Sequence, residues 1–378
     1  TAMERARQQA QSYARNLPLE ELRDGGRPPF LIVIDVGESF ALYSEFTRTG
    51  GNYDPFPDPL AATIPLARLA DPATPQALRE KLLRARQIRR FAAESLGLPD
   101  NGSYTSYADL QRPAAVWNVF ATPELSLQLK TWCYPVLGCA SYRGYFDRAD
   151  AEKMAADLQA AGYDVNVAAV PAYSTLGWFD DPLLNTFIHA PEVELARLVF
   201  HELSHQVVYV RDDTVFNESF ATAVEREGVR RWLAAHGDDR QRAAWVAYSG
   251  RREDFLALLR THRRQLGEIF ASAATVEDKR AAKAAVFDDL QRQYRQLRSE
   301  RWNGFAGYDR FFERKLSSAH LAAVGAYNDR VPAFEALLAE SGGDLPTFYA
   351  RVRQLGALEP ARRTAELNRL APQVAQTD

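Results

Sequence analysis

The sequence predicts an α+β protein that is predominantly helical, and three observations carry the prediction. Strand-length runs of apolar and aromatic residues are confined to the first half, around 30–44 and 113–180. Helical periodicity dominates from residue 186 to the end, and neither an internal repeat nor a low-complexity tract interrupts it. The 378 residues, 46% hydrophobic and 25% charged, suffice for two or more cores.

Charge narrows the partners. The 46 basic and 49 acidic residues give a net charge of -3 and are scattered through both halves, with no long basic run to neutralise phosphates or anionic lipid. Nucleic acid and membrane surfaces are therefore not expected partners. The most hydrophobic run, "PFLIVIDV", is strand-sized and broken by Asp35, far short of the 18 or so apolar residues that cross a bilayer.

Taken in order, "TAMERARQQAQSYARNL" reads as a charged amphipathic helix without the apolar centre of a secretory signal. "RPPFLIVIDVGESFALYSEF" reads as two strands about a "DVGES" turn, and "TGGNYDPFPDP" breaks the pattern. A helix then starts at Thr74-Pro75, runs through "LREKLLRARQIRRFAAESLGL" and stops at "PDNGSYTSY". Strands "AAVWNVFA", "TWCYPV" and "ASYRGYF", the helix "DRADAEKMAADLQAAG" and the strand "YDVNVAAVPAYST" follow. Beyond "GWFDDPLLNTFIHAP" come helices, two of them long and charged around 237–300, and a last one after "SGGDLPTFY". With a boundary placed near residues 60–70, the parts are an amino-terminal helix and hairpin (1–65), an α+β part (66–185) and a helical part (186–378).

The only two cysteines, Cys133 and Cys139, flank a Pro and a Gly that could close a small loop. A disulfide and a pair of buried thiols both remain open, whereas a zinc knuckle lacks the spacing and the partners.

Chemistry concentrates in "PEVELARLVFHELSHQVV". Apolar residues recur there at helical spacing, so His201 and His205, at i and i+4, share one face and can bind one metal, while Glu202 can reach a water on it. After twelve further residues Glu218 opens the helix "NESFATAVEREGVRRWL". Folded back beside the first helix, it offers a carboxylate as third ligand and leaves a fourth position for water. That set predicts one zinc per chain, a water acidified to a pKa of about 7, and Glu202 as the general base of peptide-bond hydrolysis. A zinc endopeptidase would carry the same triad, and a non-catalytic zinc module pinning two helices would carry it without an open position.

"HELSHQ" with "NESFATAVE" resembles the "HELAHQ … NEGFA" pair of gluzincin aminopeptidases, with a shorter connection here. Together with "LGLPDNGSYTSYADL", "AAVWNVFATPELSLQLKTWCYPVLGCASYRGYF", "VPAYSTLGWFDDPLLNTFI" and "AYNDRVPAFEALLAESGGDLPTFYARV", it is similar to a family of proteobacterial zinc aminopeptidases over roughly residues 66–360. The resemblance implies a gluzincin-like fold with an α+β half and a helical half, and a peptide substrate. It also implies His201, His205 and Glu218 as zinc ligands, Glu202 as base, and a place in the cell envelope or periplasm. The lipid-anchoring cysteine expected near the start of such relatives has no counterpart here. Residues 1–62 resemble instead the amino-terminal region of restriction-modification DNA methyltransferases, outside any methyl-transfer core, and carry no cofactor loop.

Gluzincins place a Tyr or His opposite the zinc to stabilise the oxyanion, and the resemblance makes Tyr327 the first choice and Tyr173 the second, an aromatic packed in the core or at its edge being the alternative for either. Asp180 and Asp181 either meet a substrate's amino group or cap a Gly-Trp turn. Asn217 is expected to cap the Glu218 helix. Glu225, two turns on, can orient a ligand imidazole, although a solvated or helix-paired carboxylate is the default. His189 is left outside the site, and His236, His262 and His320 are expected on exposed helical faces.

Overall fold

The strand-length apolar run of "FLIVID" and the run "SFALYS" form an antiparallel hairpin, β1 (Phe30–Asp35) with β2 (Ser39–Ser44), in register Phe30↔Ser44, and β3 (Asp54–Pro55) adds to the edge of β2. The computed structural model describes residues 8–12, which lie in a helix (α1), the strand segments 30–35, 39–44, 54–55 and 63–65, and residues 74–134, 138–172 and 174–371. The remainder of the helix expected at the amino terminus, and most of the segment resembling methyltransferases, lie outside the described residues.

A small second sheet ties residues 63–65 to the following part: β4 (Thr63–Pro65) pairs antiparallel with β5 (Ser106–Ala108), which pairs parallel with β11 (Leu183–Leu184). Helix α2 (Gln76–Leu96) starts after Pro75 and buries Leu82, Ala85, Ile88, Ala92 and Leu96 on one face. Gly97 ends it at φ +63, a left-handed cap that costs glycine no Cβ strain.

The third sheet has the order β10-β6-β9: β6 (Val116–Pro123) lies between β10 (Tyr163–Val170) and β9 (Arg143–Tyr145), antiparallel to both. Helix α3 (Arg148–Ala160), capped by the Asp147 carboxylate accepting the Ala149 N–H at 2.6 Å, brings Ala151, Ala155 and Leu158 into one core with Val119, Ala121 and Val165. The hairpin of β7 (Trp132–Tyr134) and β8 (Gly138–Ala140) is closed by the Cys133–Cys139 disulfide, which decides between the two fates open to those cysteines.

From residue 192 the described chain is helical: α4 (Glu192–Ser204), α5 (Thr214–His236), α6 (Asp239–Ala271), α7 (Val276–Gln296), a π-helical turn (Leu297–Arg301), α8 (Asp309–Phe312), α9 (Ser318–Asn328), α10 (Val331–Glu340), α11 (Leu345–Gly356) and α12 (Pro360–Leu370). The single helix expected after "SGGDLPTFY" is thus two, α11 beginning within that stretch and α12 restarting at Pro360, which suits a first helical position. The main core joins α2, α4, α5, α10 and α11 through Phe200, Phe216, Phe220, Trp232, Phe334 and Phe348. A second core, including Phe255, Leu259, Leu266, Leu290, Tyr294 and Phe312, lies among α6, α7 and α8. The fold is α+β and predominantly helical, and among the described residues no helix is long and apolar enough to cross a membrane.

Two histidines depart from expectation. His236 is exposed, but His262 and His320 are buried. The charged neighbours of His262 occupy other faces of α6, and those of His320 (Glu313, Arg314, Lys315) precede α9; His262 turns inward to the Leu258 carbonyl (2.8 Å) and Asp289 (3.2 Å), and His320 closes a capping box with Ser317 (2.9 Å).

Candidate metal centre

Leu195, Ala196, Val199, Phe200 and Leu203 bury one stripe of α4 and so set the direction of its other face, which carries His201. Regular helix ends at Ser204, with His205 as its still-helical cap. Helix α5 can lie against α4 because residue 228 is glycine: a Cβ there would stand 2.6 Å from a ring carbon of Phe200. The helix begins at Thr214, three residues before Asn217, because the Asp213 carboxylate accepts the Phe216 N–H at 3.0 Å. Glu218 is therefore in its second turn. Asn217 caps nothing; its amide accepts from Val210 N (2.7 Å) and donates to Val210 O (2.8 Å), pinning the connection between the two helices. The disulfide hairpin meets the same connection, Cys139 N–H donating to Asp212 at 2.5 Å.

Packing of α5 on α4 brings donor atoms of His201, His205 and Glu218 within 4.8 Å of one another. Oε2 of Glu218 lies 3.2 Å from Nε2 of His201 and 3.8 Å from Nε2 of His205. On its other side His201 presents Nδ1 to Oε2 of Glu225 at 3.0 Å. Arg197 and Arg252 also donate to Glu225, at 2.9 and 3.1 Å, and its side chain is only 1% exposed. The default reading of Glu225 as solvated or helix-paired is overturned, because α4 and α6 both close on it.

Electrostatics separates the two imidazoles. Burial works against a charged His201, but hydrogen bonds to Glu218 and Glu225 outweigh it and lift the ring to a pKa of about 10. Burial takes His205 down to about 4, so that ring is neutral. Burial pushes the Glu202 carboxyl up to about 7. For Glu225 burial is overcome by Arg197 and the His201 hydrogen bond, which hold it far below the usual carboxylate range.

This donor set fits a divalent ion. In the metal-free site a proton on His201, held between Glu218 and Glu225, supplies positive charge that a divalent ion on Nε2 would replace. His205, 7% exposed, makes no hydrogen bond with any described residue, and its Nδ1 is fully buried and unpartnered. A buried imidazole rarely goes unanswered, and an ion on its other nitrogen answers part of that need. Ligands of a tetrahedral ion bound at about 2.0–2.1 Å stand roughly 3.4 Å apart, close to the 3.2 and 3.8 Å seen here. The buried His201, His205 and Glu218 cluster could thus hold a metal ion.

The other expected residues divide. Tyr327 on α9 has no partner for its hydroxyl among the described residues, and burial followed by the fields of Glu218, Tyr142 and Glu202 raises its pKa well above 10. Tyr173 lies outside the described residues. Asp181 is buried and closes a turn by accepting the Thr175 N–H at 2.9 Å, whereas Asp180 is exposed. His189 is exposed and outside the ligand group. Sequence reading passed over Arg197 and Arg252 entirely, and Gln206, which links the residue after His205 to Asn101 (2.7 Å) and Ser103 (3.1 Å).

Residues 60–367 match the protein family described as "Putative aminopeptidase". No curated protein and no solved structure gives a match.

Proposed function

The chain belongs to the family described as "Putative aminopeptidase", and from that premise we propose that it is a zinc-dependent aminopeptidase holding one zinc ion on His201, His205 and Glu218. The observation that carries the reading is the convergence of two imidazoles and one carboxylate within 4.8 Å. Two nitrogens and one oxygen suit zinc and leave a position open, as catalytic rather than structural sites do. Zinc bound there would polarise the scissile carbonyl and acidify a water.

The chain's own groups do the rest. Glu202 has no hydrogen bond or ion pair among the described residues, and its pKa near 7 lets it accept a proton from the attacking water and return it to the leaving amine. Tyr327 supplies a hydrogen bond to the carbonyl oxygen as charge builds there, a role worth about 3 kcal/mol for one donor. Glu225 keeps the proton of His201 on Nδ1, so Nε2 stays turned to the ion. Tyr209, 45% exposed, follows His205 by four residues, and Trp178, 62% exposed, follows Gly177, which packs against Gln206; both rings offer apolar contact to a peptide. Residues 1–62 form a separable segment in this reading, supported by the family match beginning at residue 60 and by β4 joining β5.

Zinc per chain, by elemental analysis of wild type and Glu218→Ala after identical dialysis, tests the site: about one in the wild type and a large loss in the variant are expected. A free-amine peptide and its acetylated twin then test the exopeptidase claim. Equal cleavage of the two would make the protein an endopeptidase.

A further inference from the structure

The two oxygens of Glu225 are used differently. Oε2 accepts from both His201 Nδ1 (3.0 Å) and Arg197 (2.9 Å), whereas Oε1 is met by Arg252 alone among the described residues, at 3.1 Å. Arg197 sits on α4, one turn before His201, and is also held by Glu194 at 2.9 Å, so it travels with the helix that carries the imidazole. Arg252 comes from α6. A carboxylate pinned at one oxygen can swing about the bond joining it to its side chain, and a second pin on the other oxygen stops the swing.

We infer that Arg252 is a positioning residue of the metal centre: by closing on Oε1 of Glu225 it locks that carboxylate onto His201 and keeps the imidazole's Nε2 turned to Glu218. The inference rests on the zinc reading given above. Without Arg252, Oε1 becomes a charged acceptor without a partner in a site 1% exposed, and an unpaired buried charge is among the costlier arrangements in a protein. The carboxylate then turns toward another donor and takes Oε2 away from His201. Loss of such an outer hydrogen bond to a ligand typically weakens metal binding 10- to 100-fold. Simple Coulomb repulsion gives the opposite sign, since removing a positive charge beside a cation site favours the cation. The sign of the change therefore decides between orientation and net charge.

The experiment is a competition titration of zinc against a chromophoric chelator at one pH, on the full chain. It compares wild type, Arg252→Met, Arg252→Lys and Arg301→Met. Arg301 pairs with Asp254 of α6 at 2.8 Å but is 68% exposed, so its loss disturbs the same helix away from Glu225. Expected is a zinc Kd raised about 10- to 100-fold in Arg252→Met, partial rescue in Arg252→Lys and no change in Arg301→Met. An unchanged or tighter Kd in Arg252→Met, or an equal loss in Arg301→Met, overturns the inference. If Arg252→Met does not fold, Arg252→Lys against Arg301→Met decides alone, and equal affinities sink the idea. Nitrogen-15 NMR of the metal-free histidines gives a second readout, the His201 Nδ1 signal being expected to shift in Arg252→Met and to stay put if Arg252 has no such role. A wild type without zinc would refute the zinc reading itself, while that NMR comparison would still judge the lock.

Discussion

Two helix pairs bring a buried histidine against a carboxylate, and only one of them assembles a ligand set. Between α6 and α7, His262 is fully buried with Nδ1 2.8 Å from the Leu258 carbonyl and Nε2 3.2 Å from Asp289, so both ring nitrogens are answered by their own surroundings. Between α4 and α5, His205 is almost as buried and makes no hydrogen bond among the described residues, with Glu218 3.8 Å from its Nε2, while its neighbour His201 is held between two carboxylates. Burial does not distinguish the pairs. Unanswered donor capacity beside fixed negative charge does, and it marks α4–α5 as the pair that could hold an ion.

The sharpest break between the pairs is in turnover. Glu202→Gln should retain zinc and lose kcat by about 10³-fold or more, toward the upper part of what one general base contributes; kcat on a free-amine peptide with zinc analysis checks it, and retained turnover removes Glu202 from the mechanism. Tyr327→Phe comes next, with kcat lower by roughly 10²-fold and zinc content unchanged, as for loss of one oxyanion donor. A variant that cleaves at the wild-type rate would leave Tyr327 a packing residue.

Binding and stability give the smaller contrasts. His205→Gln should lower zinc affinity by at least about 10-fold, and wild-type affinity in that variant would dissolve the comparison. Asp181, a turn residue whose charge acts on Glu202, adds a contrast in pH. Burial raises its folded pKa from 3.8 to about 6, so the folded state holds the proton more tightly, and the associated stability is full below pH 3.8 and lost as pH rises through 6. Metal-free Asp181→Asn should therefore gain on the wild type between pH 4 and pH 8 by up to about 3 kcal/mol in denaturant melts; parallel curves would contradict the shift. His262→Gln is the smallest effect, about 1–2 kcal/mol of stability with zinc affinity unaltered. Any zinc loss there would mean that the α6–α7 pair is not merely structural.

Much of the fold could be read in the chain because its signals are local. The apolar run "FLIVID", the Thr74-Pro75 start of α2 and the Asp147 start of α3 each act within a few residues, and the structure has those elements where the pattern puts them, although α2 stops at Gly97, two residues before the expected "PDNGSYTSY". The i, i+4 histidines on α4 are equally local. What could not be read depends on one helix crossing another. Glu225 looks like any helix-surface carboxylate until α6 lays Arg252 against it, and His262 looks exposed in "RTHRRQ" until α7 covers the one face it occupies. The start of α5 was missed for a different reason: Asp213 and Asn217 both have capping chemistry, and only the position of Val210 decides which one is used.

Glu218 and Glu225 lie seven residues apart on α5 and touch opposite nitrogens of the same imidazole, at 3.2 and 3.0 Å. The helix thereby acts as a fixed calliper closed on His201, its jaws about 10.5 Å apart along the axis at 1.5 Å of rise per residue. Sliding α5 by a single residue moves both jaws together, and turning it by one residue's 100° swings both off the ring. A displacement small by the standards of helix packing is thus read out at two contacts at once, which makes His201 a sensitive gauge of whether α4 and α5 are seated in register.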